Sequence, residues 1–297
     1  MNQQTAARLK LIVVMLLFGT IGIFVRTISI GIFVRTISMP SSIIALVRGI
    51  IGSIFLLLVV FARRTGIDMS AVKRNWWKLL LSGGCIGVNW ILLFEAYRFT
   101  TVATATLCYY LQPVIVVLGS ALVLKEKLSI RKLLCVLVAI LGMIPVSGVL
   151  ESIPTAGEVT GILLATGAAL LYGINILTNK TMQGLSPFDM TIFCMITATL
   201  TLLPYTLLTE DWSAIVWEPQ SLLLLLVVGI IHTGVAYALY YSALEKMKAQ
   251  EVAIYGYIDP ICAILLSALL LSEPLTVGIV IGAVMILGAT YISERKS

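Results

Sequence analysis

Charge is scarce in this sequence: 11% of its 297 residues are Asp, Glu, Lys or Arg. A soluble domain carries about a quarter, because its surface must face water. With 60% apolar residues and a mean hydropathy of +1.06, the chain has too little polar surface to cover a 32.2 kDa globule. Its outer surface therefore has to meet something apolar, and lipid answers that description. Histidine is nearly absent too, with His232 alone, so a catalytic or metal cluster has thin material to draw on. The five cysteines (Cys85, Cys108, Cys135, Cys194 and Cys262) have neither metal-ligand spacing nor an oxidised-loop context and read as small apolar fillers. No G-x-x-x-x-G-K-[ST] loop for nucleotide phosphates occurs. No cofactor or metal is implied.

What the sequence does have is long apolar runs. A spanning helix needs about 20 mostly apolar residues, and ten runs qualify: 9–29, 41–62, 76–97, 102–124, 131–150, 158–179, 188–208, 220–243, 249–271 and 276–292. They are too long and continuous for barrel strands, so the expected class is an all-α polytopic membrane protein. No A-x-A-like cleavage site follows the first run, which reads as a retained span.

The net charge of +6 does not point to nucleic acid, because the basic residues cluster at the ends of apolar runs. A cytoplasmic N-terminus puts 16 of the 20 Lys and Arg on the inner side. The opposite loops carry Glu151, Glu210, Asp211 and Glu218. Both termini are thus expected inside, in a cell (cytoplasmic) membrane.

An internal repeat is present. Residues 110–129, YLQPVIVVLGSALVLKEKLS, align without a gap on 257–276, YIDPICAILLSALLLSEPLT, at an offset of 147 (257 − 110) with nine of twenty identities. Tyr110/Tyr257, Pro113/Pro260 and Glu126/Glu273 share that register. The offset corresponds to five spans, an odd number, so the two copies cross the membrane in opposite directions. The reading is ten transmembrane helices in two inverted five-helix repeats, residues 1–150 and 151–297. Such duplication is the common build of secondary transporters, with substrate bound near the midplane between the halves; a scaffold or channel with the same duplication is the alternative.

The stretch NWILLFEAYRFTTVATATLCYYLQPVIVVLGSALVLKEKLS, Asn89 to Ser129, resembles the drug/metabolite transporter superfamily in its ten-helix EamA-like exporter branch. Tyr257-Ile-Asp-Pro260 through Leu271-Ser-Glu-Pro-Leu275 matches the same pattern in the second half. The resemblance implies a monomer-sized ten-helix fold with a central cavity lined mainly by helices 1, 3, 4, 6, 8 and 9. It implies no particular substrate. One departure is the tandem nonapeptide IGIFVRTIS at 21–29 and 30–38, where the pattern would hold one copy. A duplicated helix end, a longer outer loop and an error in the sequence would each produce it.

Polar residues inside spans are costly and point to function. Asp259 lies just before Pro260 in span nine, and its repeat mate Gln112 lies just before Pro113 in span four. A proline frees a backbone carbonyl near the preceding turn, so each pair reads as a binding element or as a structural interhelical hydrogen bond. Tyr255 shares the Asp259 face by i, i+4 spacing, and Tyr109 accompanies Gln112. His232, mid-way along span eight, either carries a proton together with Asp259 or serves as an interhelical donor. Asn89 and Trp90 in span three, Tyr172 and Asn175 in span six, and Tyr237 in span eight supply neutral donors and an aromatic wall. Arg48 in span two would meet an anionic substrate or an acid, or snorkel outward. Glu126 and Glu273, ahead of the helix caps Ser129 and Thr276, read as architecture.

The expected substrate-binding set is therefore Asn89, Trp90, Tyr109, Gln112, Tyr172, Asn175, His232, Tyr237, Tyr255 and Asp259, with coupling assigned to Asp259 and His232 and no catalytic residue. The function implied is export of small metabolites such as amino acids by alternating access, driven by an ion, by exchange or downhill. A lipid or lipid-phosphate flippase of the same fold is the alternative, and a membrane-embedded enzyme a more distant one.

Overall fold

In the computed structural model the chain is described at residues 3–30, 39–63, 66–123, 125, 129–147, 153–213, 215, 217, 219–244, 255–256 and 258–294. Among these residues every regular element is a helix. The first four are α1 (Gln3–Ile30), α2 (Ser41–Arg63), the short α3 (Met69–Arg74) and α4 (Trp76–Phe99). Then follow α5 (Val102–Tyr109), α6 (Gln112–Val123), α7 (Ile130–Val146), α8 (Ala156–Lys180) and α9 (Pro187–Thr209). The C-terminal part holds α10 (Pro219–Val227), a π-helical segment (Val228–Val235), α11 (Ala236–Leu244), α12 (Ile258–Leu270) and α13 (Val277–Glu294).

Helix starts follow side-chain chemistry that satisfies the free N–H groups of a first turn. Ser129 accepts from Lys132 N ahead of α7, and Ser186 accepts from Asp189 N ahead of α9. Thr155 and Glu158 form a reciprocal capping box at α8. In the loop before α3, Asp68 accepts from Ser70 and Ala71. The Ser70 hydroxyl first, and then those amides, hold its carboxyl below the usual range.

Among the described residues seven helical stretches are long and apolar enough to cross a membrane: Gln3–Ile28, Ser41–Ala62, Trp76–Phe99, Val102–Val123, Ala156–Lys180, Phe188–Thr209 and Pro219–Tyr240. Ile258–Leu270 and Val277–Ile292 are shorter apolar helices. Large apolar side chains face outward, with Phe61 at 85% and Leu208 at 86% exposure, whereas Ser82, Asn89, Asn175, His232 and Thr233 are buried. Such an inside-out distribution suits lipid and not water. The chain is a multi-pass membrane protein.

Span four is broken as its proline predicts. Pro113 cannot donate to the Tyr109 carbonyl one turn back, and α5 ends at Tyr109 with a turn at Tyr110–Leu111 before α6. Leu111 N turns back to Cys108 O at 3.2 Å, and Ile115 N then resumes the helix on Leu111 O.

Packing links early helices to late ones. α4 lies against α8 and α9, α7 against α13, and α1 against α12 and α11. Two helix contacts, α1 with α12 and α8 with α6, are mirrored. A Cβ placed on Gly19 of α1 would lie 2.6 Å from the Asp259 carbonyl oxygen and 2.7 Å from Cys262 Cβ. One placed on Gly173 of α8 would meet Ile115 Cγ2 at 2.7 Å, with the Gln112 carbonyl at 3.8 Å. Gln112 and Ile115 precede Asp259 and Cys262 by 147 residues each (259 − 112 and 262 − 115). Lys125 (φ 55°) and Ser272 (φ 53°), also 147 apart, share the left-handed conformation that ends each helix. The small residues Gly161, Ala165 and Ala169 are likewise buried along α8, and Gly282 of α13 closes on Gly142 and Val146 of α7.

Glu126, Tyr257 and most of the second nonapeptide copy lie outside the described residues. The first copy forms the end of α1, and Met39 N donates to Ile28 O at 3.4 Å, so Met39 lies beside the end of α1.

Candidate functional site

Where α1, α2, α4, α5, α6, α8, α11 and α12 converge they enclose a cavity of about 130 Å³. That is well above the roughly 10–15 Å³ needed to hold one water. The α4 wall is built by i, i+4 and i+8 spacing from Asn89, Leu93 and Tyr97, with Trp90 and Phe94 beside them. Tyr109, Tyr110 and Gln112 enter from the α5–α6 break, Tyr172 from α8, Tyr237 from α11, and Asp259 from the first turn of α12.

Polar groups in this wall are few and mostly held. Asn89 Nδ2 donates to Ala168 O at 2.5 Å, fixing α4 against α8. Tyr110 donates to Asp259 Oδ2 at 3.2 Å and lies 3.1 Å from Gly256 O, so a tyrosine of one repeat segment holds the acid of the other. The Tyr109 and Tyr172 rings meet at 5.7 Å, tilted by 60°, and Phe18 packs on Tyr237 at 5.5 Å. Gln112 Oε1 is buried and has no hydrogen-bond partner among the described residues. A bare acceptor inside a membrane protein is expensive, and a water or a solute donor in the cavity would satisfy it.

Of the expected binding residues, Asn89, Trp90, Tyr109, Gln112, Tyr172, Tyr237 and Asp259 line the cavity; Asn175, His232 and Tyr255 do not. Asn175 Nδ2 donates to Ser82 Oγ at 2.5 Å and Ser82 O at 3.2 Å, and Ser82 in turn donates to Asn179. This polar cluster joins α8 to α4. His232 Nε2 lies 2.8 Å from Thr20 Oγ1 and its ring packs on Phe24 at 4.7 Å, joining the π segment to α1. Tyr255 packs against the apolar cluster of Leu11, Val14, Met15, Ala236 and Ala243, between α1 and α11. Arg48 turns inward to line the cavity instead of snorkelling, and Phe18, Phe94, Tyr97 and Tyr110 join the wall. The apolar residues among these carried no signal in the sequence that set them apart from other core side chains. Among the described residues no group of three His, Cys, Asp or Glu could hold a metal ion.

The family model described as "EamA-like transporter family" matches the chain twice, at residues 6–148 and 159–294. The chain belongs to the EamA-like transporter family. The resemblance carried by Asn89–Ser129 and Tyr257–Leu275 is thereby borne out. Among curated relatives, this EamA-like chain is 28% identical over 267 residues to the uncharacterized transporter YxxF of Bacillus subtilis (strain 168), covering 89% of this chain and 82% of that protein. Protein PecM of Dickeya dadantii (strain 3937) is 28% identical over 258 residues, covering 85% and 82%. A solved crystal structure superposes with a TM-score of 0.66 at 21% identity, over 97% of this chain and 96% of that one, which shows a shared fold. The relatives' names and the apolar helices together make this EamA-like protein a membrane transporter, with a small molecule as the suggested substrate.

Proposed function

We propose that this EamA-like protein is a monomeric secondary transporter exporting small metabolites such as amino acids by alternating access. Its ten spans form two inverted five-helix repeats, residues 1–150 and 151–297, with both termini on the cytoplasmic side of the cell membrane. The mirrored closures of Gly19 on α12 and Gly173 on α6 support the inverted arrangement. The basic residues gathered on the N-terminal side support the orientation.

The observation that carries the reading is the cavity itself. Its wall takes residues from both halves, and its polar groups include Gln112 beside the broken stretch and Asp259 at the start of α12. Irregular backbone and helix ends at the junction of two repeats are the means by which transporters of inverted design hold solute. Asp259 is the coupling residue in this reading, and His232 is the joint between α1 and the π segment. Counterflow into proteoliposomes preloaded in turn with neutral, aromatic, basic and acidic amino acids tests it. Trans-stimulated uptake of one class is expected. Silence across the panel with folded protein would overturn the amino-acid reading and favour lipid-like cargo.

A further inference from the structure

A guanidinium carries five N–H donors and keeps its proton inside a protein. Removing that charge from water is costly unless an anion or a full set of acceptors meets it. Arg48 is 4% exposed. Its Nε donates to Thr233 Oγ1 at 2.7 Å, and its Cζ lies 4.5 Å from the Trp90 ring centroid and 5.4 Å from that of Phe94. Among the described residues no carboxylate pairs with it, and no acceptor meets its two terminal amino groups.

The surroundings hold that fork in one orientation. Thr233 donates its own proton to Val228 O, five residues back in the π segment, so its lone pair is left for Nε. The segment fits closely against α2: a Cβ on Gly229 would meet Ile51 at 2.7 Å, and one on Gly234 would meet Phe55 at 2.6 Å. With Nε taken and one face resting on aromatic rings, the distal edge of the fork remains, on a side chain that lines the cavity. That edge matches a carboxylate in bidentate geometry.

We propose that Arg48 is the carboxylate anchor of the cavity, whose substrate class is a zwitterionic amino acid with an apolar side chain. The carboxylate sits on the terminal amino groups of Arg48. The ammonium is met by Asp259 and the unpartnered Gln112 Oε1, and the side chain lies on the Trp90 and Tyr237 wall. Among the described residues Arg48 and Asp259 are the two formally charged ones lining the cavity, so a zwitterion balances both. The assignment rests on reading this cavity as the transport site.

The test is competition binding to the purified full-length chain, followed by intrinsic tryptophan fluorescence. The probes are leucine and phenylalanine, their amides, and their deaminated acids, 4-methylpentanoate and 3-phenylpropionate. A charge-assisted pair in a site walled off from bulk solvent by helices predicts that the carboxylates bind at least about tenfold tighter than the amides. Arg48→Gln should erase that preference, and Arg48→Lys should restore part of it because the charge remains without the fork. Amides binding as well as acids in the unmodified protein would overturn the anchor without any variant being made. So would a preference that survives Arg48→Gln, or a failure of every carboxylate to bind. Binding of the deaminated acids alone keeps the anchor and removes the amino-acid reading.

Discussion

Glu273 caps a helix that begins 171 residues before it: its carboxylate accepts from Val102 N at 2.9 Å, at the start of α5. The same carboxylate pairs with Arg26 of α1, which also donates to Thr100 O. One acid from the second half thus satisfies the free amides of a helix in the first and neutralises a cation beside it. Glu273→Ala should lower stability by about 3 kcal/mol, the low end for breaking a buried pair, since Arg26 retains some exposure. Thermal unfolding in detergent checks this, and Glu273→Gln should recover part of the loss by still accepting from the amide. An unchanged melting temperature for the alanine variant would remove the capping role.

Close helix approach makes a second prediction. Gly19→Ala puts a methyl group against the Asp259 carbonyl and Cys262 Cβ, neither of which is the end of a flexible side chain, so α1 and α12 must shift apart. Transport should be lost or folded yield should fall sharply. Gly288→Ala in α13 meets nothing within 4 Å and should be neutral or stabilising by up to about 1 kcal/mol through helix propensity. Equal behaviour of the two variants would contradict the packing.

Asp259 and its Tyr110 partner set up a third. Asp259→Asn keeps the side-chain shape and the hydrogen-bond acceptor but cannot gain or lose a proton. If the carboxyl couples transport to protons, the variant should still exchange substrate while its rate ceases to depend on pH. A pH profile parallel to that of the unmodified protein would end the coupling role.

The tandem nonapeptide supplies a fourth. Because the sequences 21–29 and 30–38 are identical, deleting either leaves the same chain. The Met39 N to Ile28 O hydrogen bond brings the flanking residues together already. The shortened chain should fold and transport within about twofold of the original, because little rearrangement is needed to join ends that already lie together. Loss of folded protein would show that the second copy is structural.

The apolar runs were legible because lipid imposes a length and composition on any helix that crosses it; expected and observed helices agree closely for α2, α4 and α9. The break in span four was legible because a proline lacks its N–H in every context. For Asn89, Trp90 and Asp259 the residue type and depth were informative about the cavity. Asn175 and His232 are of equally suggestive type, yet their hydrogen bonds run to Ser82 and Thr20 and are spent on helix pairing.

The sequence by itself determined that this is a helical membrane protein with a repeated segment, since hydropathy, prolines and identities are properties of the chain read in order. Tertiary structure decided which side of each helix meets the cavity. Helical periodicity assigns residues to a common face but does not say which neighbour covers it. Arg48 shows the difference: its position along span two allowed an inward or an outward course. The close fit of α2 on the π segment, with Thr233 presented to Nε, turned it inward.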